Sequence, residues 1–78
     1  MAKAKECYSK AIDYLAFNDN EDAVALMRGI RLNMSLILCN EGNFEDAVDH
    51  ATKVIDKDAT DVKALFRRAT AHFKSNNL

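Results

Sequence analysis

Apolar and polar positions alternate along this chain at helical spacing in four separate stretches. From Lys3 to Phe17, Ala4, Cys7, Tyr8, Ala11, Ile12 and Leu15 fall on one face of a 3.6-residue period. Asn18, Asp19 and Asn20 interrupt that period, as Asx residues do at turns and helix N-caps. A second helix is predicted from Glu21 to Asn40, opened by two acids that suit the positive end of a helix. Its apolar residues, among them Val24, Leu26, Met27, Ile30, Leu32, Met34, Leu36, Ile37 and Leu38, cover most of its surface, which predicts packing on several sides. Gly29 inside it marks either a close helix approach or a weak point. Gly42 can end that helix in the left-handed conformation, and Asn43 can cap the next. The third helix, Phe44 to Lys57, carries a stripe of Phe44, Ala47, Val48, Ala51, Val54 and Ile55.

The fourth stretch, Asp61 to Lys74, has two unlike faces. Val62, Leu65, Phe66, Ala69 and Phe73 form an apolar stripe, while Lys63, Arg67, Thr70 and Lys74 form a polar, positive one. Like charges at i,i+4 cost an isolated helix about 0.2–0.5 kcal/mol, so the Lys63–Arg67 pair invites an anion. Arg28 and Arg31 could extend this positive face, which is the less favoured reading of them; His50 is read as a surface or packing residue and His72 as a packing residue.

Composition narrows the function classes. Seventy-eight residues allow one domain, and two Gly with no Pro suit helices on short turns. A net charge of −1 provides no global field for nucleic acid. The N-terminal stretch lacks an apolar signal core, and the longest apolar run is far too short to span a bilayer, so a cytoplasmic or nuclear location is expected. Cys7 and Cys39 lie too far apart for a metal knuckle and are expected as free thiols; no cofactor or metal is expected. The acidic run Asp56–Asp61 lacks the Gly and closing Glu of a calcium loop. No nucleophile with a base and no phosphate-binding loop is present, so the chain is expected to be no enzyme.

The strongest signal is internal similarity. Shifted by 34 residues, Asn33 falls on Arg67, Ser35 on Ala69, Gly42 on Asn76 and Phe44 on Leu78; shifted by 36, Tyr8 falls on Phe44, Ala11 on Ala47 and Ile12 on Val48. The unit is a helix pair with small residues where helices cross and an aromatic opening the second helix. By this period and these positions the chain resembles the tetratricopeptide repeat family over nearly its whole length, with Ala59 where the family often has Pro. The resemblance implies an all-α, right-handed solenoid of antiparallel helix pairs, about four helices, incomplete at both ends. It divides the chain into the second helix of one repeat (3–17), a full repeat (21–57) and the first helix of a third (61–74). The two end helices are expected to want partners, which leaves open a fragment of a longer protein, a marginal monomer, or a homo-oligomer or other chain completing the unit through them.

LNMSLILCNEGNFEDAVDHATKVI and DVKALFRRATAHF look most like repeats of FKBP-type immunophilin co-chaperones. In that family a "carboxylate clamp" on the first helices binds the Glu-Glu-Val-Asp terminus of heat-shock chaperones, and a prolyl isomerase resides in a separate domain. The resemblance places Asn33 on the clamp's second-repeat Asn, and Lys63 and Arg67 on its third-repeat Lys-x-x-x-Arg. Thr70 and Lys74 would extend the groove. The first-repeat Lys and Asn have no counterpart here. Arg67 offers a planar fork and Lys63 a mobile point charge to paired carboxylates, with Asn33 holding register. The expected function is therefore binding of acidic chaperone C-termini by a partial clamp, at millimolar to micromolar affinity. The alternative is a repeat scaffold or self-association element without a clamp.

Overall fold

The computed structural model describes residues 2–16 and 20–76. The expected turn residues Phe17, Asn18 and Asp19, and the repeat positions Asn77 and Leu78, lie outside them. Among the described residues the structure is all-helical: α1 (Ala2–Leu15), α2 (Glu21–Asn40), α3 (Phe44–Lys57) and α4 (Val62–Asn76). The sequence-based bounds of α2 and α3 agree to the residue, and those of α1 and α4 within two.

The helix ends follow from local chemistry. Asn20 takes an extended conformation and its side chain accepts a 2.7 Å hydrogen bond from the Ala23 amide, satisfying one of the orphan donors at the start of α2. Gly42 adopts φ +86, which a side chain would strain, and the Asn43 amide returns to the Leu38 carbonyl at 2.8 Å. Asn43 occupies the N-cap of α3 as expected, yet its side chain makes no capping bond. The Asp58 side chain closes the α3–α4 turn, accepting from the Thr60 amide at 3.0 Å and from the Thr60 hydroxyl at 2.6 Å.

α2 is the spine, touching α1, α3 and α4. α3 bridges α2 and α4, and α1 rests on α2. Ser35, buried to 1% exposure, donates a 2.8 Å bond to the Ala47 carbonyl across the α2–α3 seam. Ala47, Ala51, Ala64 and Ala71 have no exposed surface at all, so the helices close on alanines and bulkier residues fill the flanks. Met34, Leu38, Cys39, Ala47 and Ala71 make one cluster with Tyr8, Ile12, Phe44 and Val48 packed against it. Leu15, Ala23 and Ile30 make a second, between α1 and α2. Leu32, Val54 and Ala64 make a third, where α2, α3 and α4 meet. The repeated helix-pair architecture expected from the internal similarity is thus observed.

Several side chains depart from the sequence reading. The apolar stripe of α4 does not face the core: Val62, Leu65, Phe66, Ala69 and Phe73 are exposed, and Ala64 and Ala71 make the inward contact instead. Only alanines let α4 approach α3 closely enough, so the bulky stripe is turned outward. Cys7 is exposed rather than on a buried face, and His72 is exposed rather than packed. α2 is packed on three sides but still shows Val24, Leu26 and Leu36.

Gly29 is a weak point rather than a close approach. A Cβ added there meets nothing within 4 Å. Gly29→Ala is therefore expected to stabilise the chain by about 1 kcal/mol through helix propensity alone, read as a rise in the midpoint of thermal unfolding by circular dichroism.

Candidate functional site

α2 and α4 are the first helices of successive pairs and lie side by side. Leu32 and Ala64 share one buried cluster with Val54 of α3, and Met34, Leu38 and Ala71 share another. Asn33 lies between Leu32 and Met34 in α2, and Lys63, Arg67 and Thr70 lie beside or between Ala64 and Ala71 in α4. Asn33 and Lys63 are exposed, Arg67 and Thr70 are half-buried, and Lys74 is exposed in the last turn of α4. The Asn33 amide makes a long 3.5 Å contact to the Tyr8 hydroxyl on α1. No hydrogen bond among the described residues joins Asn33 to Lys63 or Arg67.

Three cations are paired with acids among the described residues. Lys5 pairs with Glu41 at 2.8 Å, and Lys53 with Asp49 at 3.4 Å. Arg28 grips Asp61 with two nitrogens, Nε to Oδ2 and Nη2 to Oδ1, the latter at 3.0 Å. The Arg28 guanidinium holds the Asp61 carboxyl below the usual carboxylate range, against the opposing effect of its burial. Asp61 Oδ1 also accepts from the Ala64 amide at 3.2 Å, which makes Asp61 the N-cap of α4 as well as its tie to α2. Arg31 approaches His50 Nδ1 at 3.3 Å. Burial first, and the Arg31 charge second, push the His50 pKa down.

Among the described residues no ion pair engages Lys63, Arg67 or Lys74. Arg67 is placed further: its Nε is buried and has no hydrogen-bond partner. A buried donor left unmet costs about 1–3 kcal/mol, more when charged, so its placement here needs a reason.

Arg28 and Arg31 belong elsewhere. They line an open cleft of about 540 Å³ with Leu15, Met27, Val54 and Lys57. None of the five clamp and groove candidates lines it. Sequence reasoning had no signal for the Arg28–Asp61 tie, whose partners are 33 residues apart. Among the described residues there is no cluster of His, Cys, Asp or Glu able to hold a metal, and no helix is long and apolar enough to cross a membrane.

Three relatives align with nearly all of this chain. It is 37% identical over 76 residues to protein unc-45 homolog B of Danio rerio, an alignment covering 97% of this chain and 8% of the relative. It is 38% identical over 76 residues to the Xenopus tropicalis protein of the same name, with 97% and 8% covered. For the Xenopus laevis protein the identity is 40% over 75 residues, with 96% and 7% covered. The chain thus spans less than a tenth of the length of these relatives, none of which bears the name of an immunophilin. No family model matches the chain, and no solved structure matches it significantly. The chain is a segment of helical repeats, similar over nearly all its length to a short stretch of unc-45 homolog B proteins.

Proposed function

We propose that this chain is a protein-interaction module of a chaperone-associated protein, and that it binds peptides ending in a free acidic C-terminus along the α2–α4 seam. The observation that carries this reading is the Arg67 guanidinium: among the described residues its Nε is buried without a hydrogen-bond partner, and no ion pair engages it or its i,i+4 neighbour Lys63. A helix that keeps an i,i+4 cation pair unneutralised, with the Nε donor of one member buried and unmet, has the electrostatics of an anion site.

Arg67 and Lys63 would take the paired carboxylates of a terminal Asp, and Asn33 would donate to the peptide backbone from across the seam. Thr70 and Lys74 would meet upstream acidic residues. The chaperone partner, with its Glu-Glu-Val-Asp terminus, follows from the resemblance of Asn33, Lys63 and Arg67 to the carboxylate clamp. The reading needs the repeat and its cations, not an immunophilin parent, and the relatives favour an unc-45-like parent.

The test is a titration with a peptide ending in Met-Glu-Glu-Val-Asp, as free acid and as C-terminal amide. The free acid is expected to bind and the amide to bind much more weakly, with affinity falling as salt is raised. Lys63→Ala is expected to weaken the free acid roughly tenfold or more, the worth of one charge-assisted hydrogen bond. Equal binding of acid and amide, or an unchanged affinity in Lys63→Ala, would sink the proposal.

A further inference from the structure

The cleft that holds Arg28 and Arg31 shares no residue with the acidic-peptide site, and its walls are all elements of this chain. α1 and α3 both pack on α2. The cleft opens between them, at the end where α1 stops and α3 turns into α4. Its floor is apolar: Leu15 of α1 and Val54 of α3 are buried, and Met27 of α2 is half-buried. Two helices line it with one face each. Val24, Met27, Arg28 and Arg31 of α2 recur at i, i+3, i+4 and i+7, and Lys53, Val54 and Lys57 share a face of α3. Each face sets apolar side chains beside two cations. The volume, about 540 Å³, is that of a small-molecule pocket.

The charges are sorted along the length of the cleft. At the α3–α4 turn, acids are met from within the chain: Asp61 by Arg28, and Asp58 by Thr60. Arg31 stands one turn further along α2, level with His50 in the middle of α3. It is half-buried, and no carboxylate among the described residues pairs with it. Its Nη1 is engaged at 3.3 Å with His50, which fixes the side chain. That leaves Nε and Nη2, the same edge with which Arg28 holds Asp61. This edge meets a carboxylate or sulfonate in a fork. Lys53 is exposed and paired only with Asp49 at 3.4 Å, a surface contact worth little, so it can turn toward the same anion.

We propose that this cleft binds a small amphipathic anion, its apolar body on Leu15, Met27 and Val54 and its carboxylate or sulfonate on Arg31, with Lys53 closing from the rim. The site is independent of the acidic-peptide site. It needs an apolar body, which a chain of acidic residues lacks, and it takes one acidic group rather than several.

Fluorescence titration of the full chain with anilinonaphthalene sulfonate, and with the neutral phenylnaphthylamine of the same body, tests this. The sulfonate is expected to bind once per chain without a change of helicity by circular dichroism, and to shift the backbone amide resonances around Leu15, Met27, Arg31 and Val54. The neutral dye is expected to bind more weakly. Arg31→Gln is expected to weaken the sulfonate roughly tenfold, the worth of one charge-assisted hydrogen bond, and the neutral dye by less than about twofold. Decanoate or naphthoate is expected to displace the sulfonate, and the better competitor tells a chain-like body from a ring-like one. A peptide ending in Met-Glu-Glu-Val-Asp is expected not to displace it, whether or not that peptide binds to the chain. Absence of saturable binding, an unchanged affinity in Arg31→Gln, resonance shifts centred on α4, displacement by the peptide, or displacement by neither carboxylate would each overturn the proposal.

Discussion

Asp61→Ala is expected to cost about 3 kcal/mol, a large part of the roughly 3–5 kcal/mol that a core of this size supplies. The side chain of Asp61 is 4% exposed and has three hydrogen bonds, two from the Arg28 guanidinium and one from the Ala64 amide. Its loss removes a charge-assisted pair, worth about 1.5–3 kcal/mol, and an N-cap, worth about 0.5–2 kcal/mol. The total stays below a simple sum because Arg28 is half exposed and can return to water. Arg28→Ala is expected to be at least as harmful at neutral pH, since it strands a buried carboxylate with a single backbone donor.

The pH dependence separates the two. In the wild type the folded-state pKa of Asp61 lies below its ordinary 3.8, so its contribution is present above that value and is lost as pH falls through the lower, folded value. In Arg28→Ala the stranded carboxyl takes up a proton more readily, so its disadvantage is expected to shrink on acidification. Chemical denaturation of the three proteins at one fixed concentration, at pH 7 and at a series of values below pH 3.8, reads both effects. If Asp61→Ala unfolds within 0.5 kcal/mol of the wild type at pH 7, the tie between α2 and α4 is not a structural one.

Ala47→Leu is expected to be as damaging by a different route. Ala47 has no exposed surface and lies where α2 and α3 cross, among Met34, Leu38, Cys39 and Ala71. Added methylenes in such a place cost about 1–3 kcal/mol. Here the helices can only relieve the clash by separating, which also breaks the Ser35 bond to the Ala47 carbonyl, about 1 kcal/mol more. The midpoint of thermal unfolding is expected to fall by about 4–8 °C for each kcal/mol in a domain of this size. Ala25→Leu, on the exposed side of α2, is the control and is expected to change little. Equal melting of the two variants would mean that the crossing is looser than its zero exposure implies.

Both predictions rest on alanines and charges whose importance was unevenly visible in the chain itself. Ser35 and Ala47 were legible, because the repeat register assigns small residues to crossing points and the structure puts those two in contact. Gly42 and Asn20 were legible because helix ends are set by backbone geometry and by a neighbouring side chain, both local matters. Asn43 matched in position but not in its bond, since the amide direction depends on the whole turn. Of the candidate site, the residue types and their spacing on α4 were readable, and so was the correspondence of Asn33 with Arg67. The pairing of Arg28 with Asp61, and the burial of Arg67 Nε without a partner, were not.

The sequence by itself determined four helices, their ends, the pairing period and the small residues at which pairs cross, because periodicity and capping act within a few residues. Only the tertiary structure decided which side of each helix turns inward. A stripe of Val62, Leu65, Phe66 and Phe73 announces an apolar face, but the distance at which α4 meets α3 is set by what fits the seam, and there Ala64 and Ala71 fit while phenylalanine does not. The partners of Arg28, Arg31 and Asp61 were likewise settled only by stacking, since contacts between residues 19 and 33 apart depend on how one helix pair is laid on the next.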